Sequence, residues 1–417
     1  MIKKLFVKTY GCKVNQYNTQ VILQSLHHLY DVVSVVETAD IVVINACVVT
    51  EKAERECISY LRKVHKNPHT KLFITGCLGP SIQEYAVKNQ IPRGTLEEII
   101  TLLQNESRFI EIPKRRPIQQ LHHFGDRTRA FIKIQSGCNQ FCSYCIVPYV
   151  RGPVVSRTKQ DIFLEIQSLL GAGYKELVLT GTQVGLYQDP TCSSYQFYEL
   201  LEDICQTFSD DLYRLRISSI GMRFVTQTFC DLIERYPILC NHLHISLQSG
   251  SNSVLQRMNR HYTIEEYYQV VTMLRSQLSD FQVSTDVIVG FPGETEEEFE
   301  DTLSWIRRIQ FSKIHIFPYS ARSGTSAEKL PHHIPFALKK ERRDRLLAIE
   351  NTIRYNIHEN CIGASVKILL EGNNTGLTRN YIRVRLQDLD CAARVGHLYD
   401  VNGTKADVNF LYAKLKG

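Results

Sequence analysis

The 417-residue sequence lacks any apolar run approaching the roughly twenty residues that a membrane-crossing helix needs, which excludes the helical membrane-protein classes. It also lacks a secretory leader. Met1-Ile2-Lys3-Lys4 runs straight into a strand-like segment, and this predicts a cytoplasmic protein with no membrane partner. Charge of one sign is scarce too: 49 basic against 43 acidic residues leave +6, too small a surplus to imply a nucleic-acid partner by itself. A disorder signature is likewise missing. Apolar content of 43% with 10% aromatics is ordinary for packed cores, and the length allows two or three domains.

Cysteine, by contrast, is plentiful, with 13 in the chain. In a reducing compartment thiols stay free, so metal ligation or inert burial explains them better than disulfides. Basic residues gather from Lys114-Arg115-Arg116 to Arg127-Thr128-Arg129, and from Cys361 onward eight Lys/Arg stand against five Asp/Glu. Both segments could face phosphate, and both could equally be solvated surface.

The periodicity predicts an α/β protein in three parts. Residues 1–108 alternate strands (Leu5–Tyr10, Ile41–Asn45, Lys71–Thr75) with helices (Tyr17–Leu29, Thr50–Val64), the pattern of an open parallel sheet. Residues 109–129, broken by proline, histidine and basic residues, read as a linker. Across 130–358 a strand-then-helix unit recurs about six times, with strands near Phe131–Gln135, Glu176–Thr180, Arg214–Ile217, Leu243–Leu247, Val283–Val289 and Lys313–Phe317. This predicts a partial (β/α)6 barrel whose active face is formed by the loops after the strands. Residues 359–417 show short strands at Ser365–Leu370, Tyr381–Leu386, His397–Val401 and Asp407–Phe410, the signature of a small all-β module.

Cys138-Asn-Gln-Phe-Cys142-Ser-Tyr-Cys145 places three thiols in one tight loop directly after the first barrel strand. Such a loop can aim three thiolates at one iron–sulfur cubane and leave its fourth iron without a protein ligand. Zinc is the rival, although a structural zinc site wants a fourth ligand and none stands nearby in the sequence. Cys12, Cys47 and Cys77 form a second, dispersed set, each just after a predicted N-terminal strand. Ligands of open α/β sheets gather beyond the carboxyl ends of parallel strands, so three such cysteines can meet at one point. Taken singly, each is as easily a buried small hydrophobe.

The three-cysteine loop, with an aromatic residue before its last thiol, resembles the radical S-adenosylmethionine superfamily. Tyr10-Gly-Cys-Lys-Val-Asn-Gln-Tyr17, Asn45-Ala-Cys-Val-Val-Thr50, Thr75-Gly-Cys77, Gly137 to Tyr149, Val289-Gly-Phe-Pro-Gly-Glu-Thr295 and Phe317-Pro-Tyr-Ser320 narrow the likeness to the methylthiotransferases. The resemblance implies S-adenosyl-L-methionine and two [4Fe-4S] clusters, one generating a 5′-deoxyadenosyl radical and one holding the sulfur to be transferred. It implies Cys138, Cys142 and Cys145 as ligands of the first and Cys12, Cys47 and Cys77 as ligands of the second. It also places Tyr144 near the adenine and Gly181 at the cofactor's border, with Arg216 and Ser218 candidates for its carboxylate.

Replacing a hydrogen on adenine C2 offers no acidic proton and no leaving group, which is why such a reaction calls for a radical. Within the family the N-terminal motif looks more like the branch acting on N6-threonylcarbamoyladenosine at position 37 of tRNA, beside the anticodon, than like the isopentenyladenosine branch or the relative that modifies a ribosomal-protein aspartate. The carboxylate of that substrate asks for a cation, and Arg151 is one candidate. The implied partners are a tRNA anticodon stem-loop, held in part by a C-terminal TRAM module, and an electron donor such as flavodoxin or ferredoxin. In that module Lys367, Arg379, Arg383, Arg385 and Arg394 alternate with Tyr381 and Tyr399, a mixture suited to phosphates and unpaired bases. Thr295 and Glu298 read as a capping box rather than as chemistry. A zinc-containing RNA-binding protein is the non-enzyme alternative.

Overall fold

Strand residues apolar on both faces open the chain. Ile41–Ala46 is buried along its whole length and pairs in parallel with Lys4–Thr9 on one side and Lys71–Gly76 on the other, while Asp31–Val32 extends the edge. The computed structural model describes residues 2–106, 121–125, 127–387 and 393–416. Most of the expected 109–129 linker, with its first basic cluster, and Cys391 therefore lie outside the described residues. The first helix begins at Lys13, four residues before the expected Tyr17. Its opening turns bury Asn15, Asn18 and Thr19, polar side chains that hide the apolar stripe from a periodicity reading.

Six parallel barrel positions follow. Arg129–Lys133, Glu176–Thr180 and Arg214–Ile217 form one ladder, and Ser219–Ile220, His242–Ile245, Gln282–Val289 and Lys313–Pro318 form the next, the third strand being interrupted at Ser218. Leu215, Ile217, Leu243, Ile245, Val283 and Val287 join the helices in the main core. Their alternates, Arg214, Arg216, His242, His244, Ser284 and Asp286, therefore occupy the opposite, inner face.

The helix Phe336–Glu359 leads to a closed five-stranded barrel, Ser365–Glu371, Thr375–Thr378, Arg383–Leu386, Leu398–Ala406 and Leu411–Leu415. Two expectations here are corrected. Asp407–Phe410 is the turn before the last strand, closed by Asp407 Oδ1, which accepts from the backbone N–H of Asn409 and Phe410. Thr375–Thr378, a short strand beginning Thr375-Gly376, escaped notice because it is too brief to show alternation.

The N-terminal domain is clamped to the barrel. Tyr17 donates to buried Glu165 at 2.8 Å, Arg157 pairs with the same carboxylate at 3.1 Å, and Lys133 donates to Asn18 at 3.1 Å. A charge as deeply buried as Glu165 is tolerable only with partners of this kind, so the clamp fixes the relation of the two domains.

Candidate iron–sulfur and cofactor site

The loop holding Cys138, Cys142 and Cys145 is anchored at several points. Gly137 adopts φ +78°, and a Cβ there would fall 1.8 Å from the carbonyl oxygen of Pro153, so only glycine lets the chain enter the loop. Cys138 N–H donates to Gly152 O at 3.3 Å, and Cys145 N–H to Cys142 O at 2.9 Å. Ser143 is tied by its backbone N–H to Met258 O at 3.0 Å and by its hydroxyl to Arg257 O at 2.8 Å. Arg260 donates to Cys142 Sγ at 3.3 Å, and its second Nη reaches Ser246 O. That guanidinium offsets the negative charge which three thiolates would bring.

The N-terminal trio comes from three strand ends. Gly11, at φ +95°, leaves room for Cys47: a Cβ at Gly11 would lie 2.6 Å from Cys47 Sγ. Cys77 N–H donates to Ala46 O at 3.0 Å, and Tyr10 N–H to Asn45 O at 2.9 Å, locking the three turns together. The thiols of Cys12 and Cys77 both act electrostatically on Cys47, and that of Cys12 on Cys77, so the three lie near one another at the strand ends. Two buried asparagines brace it. Asn15 donates to Tyr10 O and Ala46 O, and Asn45 donates to Asn15 O at 2.7 Å and to Thr19 at 3.0 Å. The sequence reading gave these asparagines no role, although both stand inside the motifs that carry the cysteines.

Burial dominates the thiols' titration. It pushes Cys145 to about 12, and Cys47 to about 12 with help from Cys77. Cys138 and Cys77 are raised as well, and Arg151, which hydrogen-bonds Cys77, partly opposes the latter shift. Such thiols stay protonated in water and give up their protons to a metal centre. In neither trio do all three sulfurs lie within 4.8 Å of one another, whereas three thiolates on a single zinc at 2.3 Å would stand about 3.8 Å apart. The wider spread, the all-thiol donor set and the neighbouring cations fit a cubane better than one zinc ion.

The remaining expected residues divide. Tyr144 packs from the loop against Val254, Met258, Ile288, Phe291 and Tyr319. Gly181 abuts Gln135, whose amide donates to Gly137 O at 2.6 Å and whose Oε1 accepts from Gln183 N–H, so it borders the loop. Ser218 is buried and its hydroxyl has no partner among the described residues, an open donor beside the barrel mouth. Arg216 is corrected. It is 2% exposed, pairs with Glu176 at 2.9 Å, and donates to Thr378 O and Arg379 O of the C-terminal barrel, so it joins two domains and is not free for a cofactor carboxylate. Arg151 lies against Asn15 and Cys77.

The C-terminal module turns part of its expected RNA face inward. Tyr381 stacks on His242 with ring centroids 4.5 Å apart, and Arg379 donates to Leu239 O. Arg383 and Arg385 remain exposed beside Phe410. One cation that the sequence reading overlooked is Lys13. It neighbours Tyr381, Arg129 and Arg216, burial lowers its pKa, and among the described residues it has no carboxylate or hydrogen-bond partner.

Residues 132–306 match the Radical SAM superfamily, and residues 4–93 match a family described as Uncharacterized protein family UPF0004. The threonylcarbamoyladenosine tRNA methylthiotransferase MtaB of Bacillus subtilis is 37% identical over 361 residues, covering 83% of this chain and 80% of that protein. The tRNA-2-methylthio-N(6)-dimethylallyladenosine synthase of Moorella thermoacetica is 34% identical, covering 89% and 87%. Among solved structures, the radical S-adenosylmethionine methyltransferase TsrM of Kitasatospora setae superposes with TM-score 0.54 at 14% identity, covering 79% of this chain and 77% of that one, a likeness of fold. With the cysteine loop at the mouth of a partial barrel and relatives of this identity along most of its length, the chain belongs to the radical S-adenosylmethionine methylthiotransferase family.

Proposed function

We propose that this enzyme methylthiolates C2 of N6-threonylcarbamoyladenosine at position 37 of tRNA, using Cys138, Cys142 and Cys145 to hold the radical-generating [4Fe-4S] cluster and Cys12, Cys47 and Cys77 to hold a second. When bound, the clusters and S-adenosyl-L-methionine supply the radical and the sulfur; the chain's own residues bind, orient and exclude water. Arg260 and Arg151 place a cation beside each trio. Tyr144 and Gly181 border the cofactor, and Ser218 offers it a hydroxyl. Lys8, Lys52, Arg55, Arg62 and Lys63 stand with Tyr10 and Tyr60 around two adjoining grooves of the N-terminal domain that share Arg55 and Lys63, and Arg383 and Arg385 are exposed on the C-terminal barrel; these groups suit the phosphates of an anticodon stem-loop. An electron donor of the flavodoxin or ferredoxin type would dock near the radical loop.

Relatives named for two different nucleosides match at 34–37% identity, so the choice of substrate rests on the site. Lys13 is the observation that carries it. Lys13, desolvated next to Cys12 at the start of a helix where the dipole already disfavours a cation, is available to pair with an incoming anion. The threonylcarbamoyl group brings a carboxylate, and an isopentenyl group brings none. The test is product analysis by mass spectrometry with the cluster-loaded enzyme and anticodon stem-loops carrying either nucleoside. Methylthiolation of the threonylcarbamoyl form is expected, with Lys13→Gln lowering kcat/KM for it about 10- to 100-fold, the worth of a charge-assisted hydrogen bond. A stem-loop whose carboxylate is converted to an amide should be insensitive to the substitution. Preference for the isopentenyl form would overturn the reading.

A further inference from the structure

Among the described residues one group of metal-capable side chains has all its donor atoms within 4.8 Å of one another: His244, Asp286 and His315. They come from adjacent strands of the inner barrel face. Asp286 stands in register with His315, and His244 with Ser284. His244 Nε2 lies 3.1 Å from Asp286 Oδ2. Two donors sharing one divalent ion through bonds of about 2.1 Å stand about 3.0–3.4 Å apart, so the pair already has that separation. The rings of His244 and His315 are 5.6 Å apart between centroids, and His315 is exposed.

The surroundings resemble those of a built ligand set. Ser284 Oγ lies 3.0 Å from His244 Nδ1 and 3.0 Å from His242 Nε2, and Ser246 donates its hydroxyl to Asp286 Oδ2 at 3.1 Å. Hydrogen bonds to the far nitrogen of a histidine and to a ligating carboxylate are the usual supports of a metal site, since they fix ring orientation and tautomer. With His244 Nδ1–H donating to Ser284 and the Ser284 hydroxyl donating to His242, the neutral imidazole turns an unprotonated Nε2 toward Asp286, and an ion bound there would take the place of any proton shared between Nε2 and the carboxylate.

We propose that His244, Asp286 and His315 form a binding site for one divalent transition-metal ion on the inner face of the barrel, separate from both cysteine trios and supported by Ser284 and Ser246. Two imidazoles and a carboxylate suit Mn2+, Fe2+ or Zn2+, and three protein ligands leave coordination positions open for water or an anionic oxygen. The site communicates with the radical loop through Ser246, whose carbonyl accepts from Arg260, which in turn donates to Cys142.

The test uses the full chain, purified anaerobically with its clusters loaded so that the thiols are occupied, and Mn2+ as probe because it prefers nitrogen and oxygen donors to thiolate. Free Mn2+ is read by electron paramagnetic resonance across a protein titration, and displacement by Zn2+ follows. One Mn2+ per chain is expected, with Asp286→Asn and His315→Gln each weakening binding about 100-fold and Ser284→Ala about 10-fold. Unchanged circular dichroism and iron content show that a variant is folded; should the ligand variants fail to fold, Ser284→Ala, which keeps all three donors, still reads the site. Absence of uptake of either ion by the wild type, or equal affinity in wild type, His315→Gln and Ser284→Ala, overturns the proposal.

Discussion

The two cysteine trios reach similar ends by opposite routes. Cys138, Cys142 and Cys145 lie in one eight-residue loop, so backbone geometry alone keeps them together once Gly137 has turned the chain. Cys12, Cys47 and Cys77 are separated by one βα unit each and meet because parallel pairing sets three strand ends level, with Asn15 and Asn45 stitching the turns. The loop is thus a local device, and the strand-end trio is a property of an assembled sheet. The C-terminal loop of the first trio also serves the second, since it returns through Val147–Arg151 and sets Arg151 beside Cys77.

The largest effect should come from emptying one site at a time. Cys138, Cys142 and Cys145 all changed to alanine should lower iron from about eight to about four per chain and abolish product, while the Cys12, Cys47 and Cys77 triple variant should lose the same iron yet retain cleavage of S-adenosylmethionine. Loss of all iron from either variant would show that the two sites are not independent. A smaller effect separates their construction. Gly11→Ala forces a Cβ to 2.6 Å from Cys47 Sγ at a φ of +95°, and should cost about 1–3 kcal/mol of strain and lower loading of the N-terminal trio alone, read as iron content and as thermal unfolding. The smallest concerns neither trio. Burial would raise the Glu298 carboxyl, but hydrogen bonds from Arg257, Ser253 and the Thr295 backbone outweigh it and hold the group at about 2. Its folded value lies below the unfolded 4.5, so the stability it contributes is present above about pH 4.5 and fades as the pH falls toward 2. Glu298→Gln should flatten that part of an acid-unfolding curve, and an unchanged curve would remove the carboxylate from the account.

Much of this was legible in the chain. The parallel N-terminal strands, the six barrel positions and the capping box at Thr295 and Glu298 follow from periodicity and from residue types whose preferences act over a few neighbours. The role of Arg216 was not legible. An arginine at a strand's end suits a cofactor carboxylate as well as a buried acid, and only the docking of the C-terminal barrel brought Thr378 and Arg379 carbonyls to it. Tyr381 and Arg379 were misread as RNA contacts for the same reason, because composition does not say which face of a small barrel is covered.

Sequence by itself determined that three thiols share one loop, that three more follow three strands, and that the chain alternates strand and helix, since each is a matter of spacing along the backbone. Only the tertiary structure decided that Lys13 stands near Tyr381 with no carboxylate partner among the described residues, that Arg151 faces Cys77, and that His244, Asp286 and His315 converge. Those outcomes depend on the register between strands and the docking of domains, long-range choices that no local pattern of residues encodes.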